Sequence, residues 1–300
     1  MFTMAKRNIK LYFRDKSSVF FSLMGVLVII VLNIFFLTEN LTDAFGDVPN
    51  IKELVGTWLV AGIVAVATTT TALGALGTMI EDKSRKIYKD FYTSPLKRGA
   101  LAGSYILSCM AVGVIMSVIS LAVGLVYIVS LGGSVPSGET LAKAVGIIVL
   151  AVLANGSFMF FVASLLRTSS AFSAFSTVVG TLIGFLTGIY MPVGNLPDGV
   201  QWLVKLFPCS YAASALRTVL MDDLLTDTYS NMQEVPAEVL VAMPEDAALM
   251  TTRTGFEQFM GVNFDFGDYA TNLTTAIIVM VVTAAVFCGL SVLTVGRKNK

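Results

Sequence analysis

Thr57-Trp-Leu-Val-Ala-Gly-Ile-Val-Ala-Val-Ala-Thr-Thr-Thr-Thr-Ala-Leu-Gly-Ala-Leu-Gly-Thr-Met-Ile80 runs for 24 residues without a charge, and Glu81-Asp-Lys-Ser-Arg-Lys86 follows at once. A helix of that length rises about 36 Å, enough to cross roughly 30 Å of hydrocarbon. Five further apolar runs read the same way: Val19–Leu37, Ala102–Val129, Leu141–Leu166, Ala171–Met191 and Tyr269–Val295. Their length and continuity predict helices, because barrel strands are short and alternate. The chain is 55% hydrophobic and 13% charged, against about 25% charged in soluble domains. The expectation is an all-α integral membrane protein with six transmembrane helices.

Charge sets the expected orientation. Residues 1–18, 81–99, 167 and 297–300 hold 15 of the 20 Lys and Arg, while the alternate connections hold 16 of the 20 Asp and Glu. Basic residues stay on the cytoplasmic side, so both termini are expected there. The first span is read as uncleaved, because five basic residues precede it and no small-residue cleavage site follows. Three cysteines, two of them in spans, imply no disulfide framework. The absence of histidine removes histidine catalysis and most zinc sites.

Residues 1–18 read as an interfacial amphipathic helix. Phe2, Ala5, Ile9, Tyr12 and Phe13 recur at helical spacing, with Lys6, Arg7, Lys10 and Arg14 on the other side. A basic anchor on anionic membrane lipid would show the same pattern. The second inside segment, 81–99, mixes both charge signs with Ile87, Tyr88, Phe91 and Tyr92 before Pro95. It reads as a short helix suited to docking on protein, or as an ordinary solvated connection.

Beyond the fifth span, 191–221 is apolar but broken by Pro192, Pro197 and Pro208. The pieces are expected to re-enter the outer leaflet or to lie in its interface, with Trp202 and Tyr211 at that depth. An acidic outside segment, 222–268, carries ten acids and a single arginine, Arg253. A lid, a dimer contact and a plain insertion all fit it. The last stretch, 269–300, is the sixth span and a basic tail.

The chemistry is sparse. No phosphate-cradling G-x-x-x-x-G-K-[ST] loop occurs, and the inside segments total about 46 residues, too few for an ATPase domain. No charged residue lies well inside a span, which argues against proton-coupled carriers and intramembrane proteases. No enzyme activity, cofactor, metal site or nucleic-acid partner is expected of the chain. Thr68 and Thr69, in a run of threonines and glycines, serve helix packing or a polar strip on a substrate path. Phe172, Phe175 and Phe185 of the fifth span face a lipophilic solute or lipid.

These features together resemble the permease subunit of type-2 ATP-binding-cassette exporters, over essentially the whole chain. The resemblance rests on the basic start Leu11-Tyr-Phe-Arg-Asp-Lys-Ser-Ser-Val-Phe-Phe-Ser22 and on the inside loop from Glu81 to Ser94-Pro95. It rests also on Met191-Pro-Val-Gly-Asn-Leu-Pro197 with Phe207-Pro208 and Arg217, and on the six-span plan. It implies a second permease copy or a homologue, and two cytoplasmic ATPase subunits that bind ATP and Mg. Lys6, Arg7, Arg14, Glu81, Tyr88, Phe91, Ser94 and Pro95 would couple to those subunits. Thr68, Thr69, Phe172, Phe175 and Phe185 would line the substrate path. Met191, Pro192, Pro197, Pro208 and Arg217 would form an outer gate. The expected cargo is a small lipophilic or amphipathic molecule leaving across a bacterial plasma membrane. Lipid or polysaccharide export by the same fold, an ion-coupled carrier and an external peptide sensor are the competing readings. The acidic segment is longer than in compact members of the family.

Overall fold

A computed structural model describes the chain apart from residues 1, 33–49, 86–97, 167, 232–250, 268 and 298–300. Ten α-helices are described: α1 Phe2–Arg14, α2 Lys16–Leu32, α3 Ile51–Ser84, α4 Arg98–Ser130, α5 Gly138–Leu165, α6 Ser169–Leu186, α7 Asp198–Leu206, α8 Pro208–Asn231, α9 Arg253–Phe259 and α10 Leu273–Arg297. Five of them, α3, α4, α5, α6 and α10, are long and apolar enough to cross a membrane. The described residues hold no strand, only an isolated bridge between Asp265 and Ala270. The all-helical expectation is met. The first expected span is described as α2 up to Leu32, and 33–37 lie outside the described residues.

Local chemistry accounts for the helix starts. The Ser137 hydroxyl accepts from the Thr140 amide at the head of α5, and Thr168 accepts from Ala171 at the head of α6. Each supplies a partner to one of the amides a helix start leaves open. Pro192 precedes a 3-10 turn over Val193–Asn195, Pro197 precedes α7, and Pro208 opens α8. Proline suits these positions because it has no N–H to leave unsatisfied.

The three prolines therefore divide the broken segment as expected, but its last piece does not end at Met221. The α8 helix continues to Asn231, across the expected start of the acidic segment. Its first half is buried and its last turns carry exposed Asp222, Asp223 and Asp227. The Tyr211 ring is buried against the protein and its hydroxyl donates to the Lys205 carbonyl at 2.8 Å.

The hub is α3, whose apolar stretch is almost wholly enclosed by α4, α5 and α8. Close approach explains the α3–α4 seam. A Cβ on Gly124 would lie 2.4 Å from Val60 Cγ1, so only hydrogen there lets the helices meet. By contrast α6 buries little of its surface within the chain. With α3 as a rod, its two ends, near Trp58 and near Asp82, stand about 36 Å apart.

Candidate functional site

At the Asp82 end, α1 lies against α3 and α4. Its packed face is Ala5, Asn8 and Tyr12, spaced i, i+3, i+7. Phe2, on the apolar side of the helix, lies outside this packed stripe and is 77% exposed. Arg7, expected on the outward basic side, turns inward at the edge of the stripe. Its Nη1 and Nη2 donate to Asp82 Oδ2 and Oδ1 at 2.9 and 3.1 Å. The Tyr105 hydroxyl on α4 donates to Oδ2 of the same carboxylate at 2.7 Å. One buried carboxylate thus joins three helices. The Asp82 hydrogen bond raises the Arg7 pKa above its ordinary value. Paired, planar donors of this kind are the strong charge-assisted contacts.

Glu81 was expected as the acid of the coupling loop. Helix α3 runs on through Ser84, so Glu81 sits in its last turn, exposed, and pairs with Arg85 at 2.6 Å. Asp82 is the inward-facing acid. It continues the stripe Ala72, Ala75, Met79, Asp82, and carrying the helical period past the first charge would have found it. Lys83 also ties down, its ammonium donating to the Leu166 carbonyl beyond α5 at 2.5 Å. Lys6 and Arg14 lie on the exposed side of α1. Tyr88, Phe91, Ser94 and Pro95 lie outside the described residues.

An open cleft of about 520 Å³ lies beside this junction, between the end of α1 and the last turns of α3. Leu11, Tyr12, Arg14, Asp15, Gly74, Gly77, Thr78, Glu81 and Asp82 line it.

The residues expected on a substrate path do not share one surface within the chain. Thr68 and Thr69 are fully buried. Thr68 Oγ1 accepts from the Asn155 side chain of α5 at 2.9 Å and donates to the Ala65 carbonyl at 2.6 Å. Phe172 is buried in the cluster with Tyr12 and Tyr105, and Phe175 packs at its edge. Phe185 is exposed near the other end of α6, edge-on to Tyr190 with centroids 5.1 Å apart.

Of the residues expected at an outer gate, Met191 and Pro197 are exposed, and Pro192 and Pro208 are buried. Arg217 is 1% exposed. Its Nη2 donates to the Thr187 carbonyl at 2.8 Å and its Nη1 to the Gly261 carbonyl at 3.2 Å. The guanidinium stacks 4.7 Å from the Trp58 ring centre, a favourable seat for a cation. Sequence reading found the arginine but neither of its partners, which come from distant turns.

The family model for the ABC-2 type transporter matches residues 1–221. No curated protein matches the chain. Members of the family are membrane components without an ATPase site of their own, working with cytoplasmic ATPase partners. The matched stretch takes in the Arg7–Asp82–Tyr105 junction, the hub helix α3 and Arg217. A multi-pass helical membrane protein matched over most of its length, this chain belongs to the ABC-2 type transporter family.

Proposed function

We propose that the chain is the permease of an ATP-driven exporter that moves a small lipophilic or amphipathic molecule outward. In this reading six helices span the membrane, both termini are cytoplasmic, and two permease chains work with two separate ATPase subunits. ATP and Mg bind on those subunits.

The observation that carries the reading is the junction at Asp82. Helix α1 is held to the ends of α3 and α4 by a bidentate ion pair and a tyrosine hydroxyl. A push on α1 from a cytoplasmic ATPase therefore reaches two long spans without passing through a loop. Lys6, Arg14 and the cleft beside Glu81 offer charge and space to that partner, together with Tyr88, Phe91, Ser94 and Pro95. ATP binding closes the ATPase pair and favours one permease arrangement, and hydrolysis restores the other. The path runs at the contact of the two permeases, where Phe175 and Phe185 of the little-buried α6 are available. The turn from Met191 to Pro208 forms its outer rim.

The test is purification of the tagged chain in mild detergent from its own membranes, followed by an ATP-hydrolysis assay. Co-purification of an ATPase with vanadate-sensitive turnover is expected, reduced in Asp82→Asn. A chain that purifies alone, under conditions that keep other transporter complexes whole, overturns the reading.

A further inference from the structure

The stretch from Arg253 to Phe264 lies beyond the family-matched residues, in the segment whose sequence fits a lid, a dimer contact or an insertion. It is built into the core instead. Three successive carbonyls, those of Met260, Gly261 and Val262, each accept from a different buried side chain. Trp58 Nε1 of α3 donates to the first at 2.6 Å, Arg217 Nη1 to the second at 3.2 Å, and Ser214 Oγ of α8 to the third at 2.5 Å. All three donors are at most 2% exposed. Gly261 makes the turn possible: its φ is +67°, and a Cβ there would lie 2.5 Å from Val193 Cγ2.

The same stretch is clasped at the surface. Arg253 Nη2 donates to Asp222 at 2.6 Å, Nη1 to Thr226 at 2.8 Å, and Nε to Glu257 at 2.7 Å. Asp222 and Thr226 belong to α8, so both ends of the stretch are fastened to that helix. Removing it would orphan three buried donors at once, and an unsatisfied buried donor is among the costliest defects in a fold.

We propose that Arg253–Phe264 is a brace that locks α3 to α8 as one rigid body, and that Arg217 pins the end of α6 to that body. A lid would need contacts that break cheaply, and here only the Arg253 clasp is exposed. Arg217 shares its two amino groups between the brace, at Gly261, and α6, at Thr187. Next to Thr187, Gly188 has φ +68°, so the chain turns sharply where α6 leaves the pin. Ser210 of α8 adds a second tie, to the Leu186 carbonyl at 2.7 Å. The end of α6 is then held to the braced α3–α8 pair at two points, Thr187 and Leu186.

Hydrogen exchange on the purified full chain tests this. Amides of residues 256–264 are expected to exchange within about threefold of those in the buried half of α8, and far more slowly than the exposed first turn of α5. Trp58→Phe, which keeps an aromatic ring at the position but loses the indole N–H and half of the bicycle, should speed the brace by at least about fivefold while leaving residues 184–189 unchanged. Arg217→Met should speed both. If it does not fold, Arg217→Lys, which keeps the charge but cannot reach two carbonyls, should do the same. A brace that exchanges like an open loop in the unaltered chain overturns the proposal. So does an Arg217 variant that leaves residues 184–189 as slow as before. The measurement needs no transport: naming this end the outer one rests on the function proposed above, and a braced chain that never binds an ATPase would sink that function and leave the brace.

Discussion

Arg7 grips both carboxylate oxygens of Asp82, 75 residues further along the chain, at 2.9 and 3.1 Å. The carboxylate is 7% exposed and the guanidinium 34%, so the pair sits at the rim of the packed region rather than in its depth. Breaking it leaves a buried acid with one remaining donor. That cost is larger than for a surface pair and smaller than for a fully enclosed one, about 2 kcal/mol.

Asp82→Asn and Arg7→Ala should therefore each loosen α1, read as faster tryptic cleavage after Lys6 and Lys10 in the purified protein. Glu81→Gln should leave that cleavage unchanged, since among the described residues Glu81 pairs with exposed Arg85. Equal cleavage in the Asp82 and Glu81 variants would remove the distinction between the two acids.

Tyr105→Phe deletes one of the donors to Asp82 and nothing else on the ring. A loss of about 1 kcal/mol is expected, seen as a lower unfolding midpoint in detergent. With Arg7→Ala the combined loss should exceed the sum of the two, because together they strip both of these donors from one buried carboxylate. Strict additivity in the double variant would mean that the groups do not share it.

The junction should not respond to alkaline pH. A base whose folded pKa is raised contributes stability that is complete below its unfolded value and lost only above its folded one. The Asp82 hydrogen bond raises the Arg7 pKa above that of an ordinary guanidinium, which is already charged at every physiological pH, so that window lies beyond any pH a cell meets. Tryptic protection of α1 should stay flat from pH 7 to pH 10. Release within that range would assign the hold on α1 to some other group.

Packing between spans should outweigh their hydrogen bonds. Thr68→Val removes the acceptor for Asn155, and side-chain bonds between membrane helices average about 0.6 kcal/mol. Gly124→Leu places a side chain where even a Cβ would lie 2.4 Å from Val60 Cγ1, and overpacking of this kind costs about 1–3 kcal/mol. Unfolding midpoints in detergent should rank the glycine variant well below the threonine variant.

The helices of this chain follow from physics local to each segment. Apolar length and helical period belong to a single stretch of chain, and α3, α4, α5, α6 and α10 were legible for that reason. So were the proline breaks at 192, 197 and 208, because a missing N–H acts on its own helix. Glu81 and Asp82 show where this stops. The two are adjacent, equally acidic and both follow an apolar run, and only continuing the period of α3 separates the packed one from the exposed one.

That this chain lives in a membrane as a set of helices, and where most of those helices lie, can be read from its residues alone. Hydrocarbon admits no unsatisfied backbone, so an apolar run of sufficient length has one outcome whatever its neighbours. Which polar side chains meet is settled by how the helices pack. Arg7 finds Asp82, Asn155 finds Thr68, and Trp58, Ser214 and Arg217 find three successive carbonyls near Gly261. Those partners lie tens to hundreds of residues apart, and a backbone carbonyl carries no mark in the sequence of the donor it will receive.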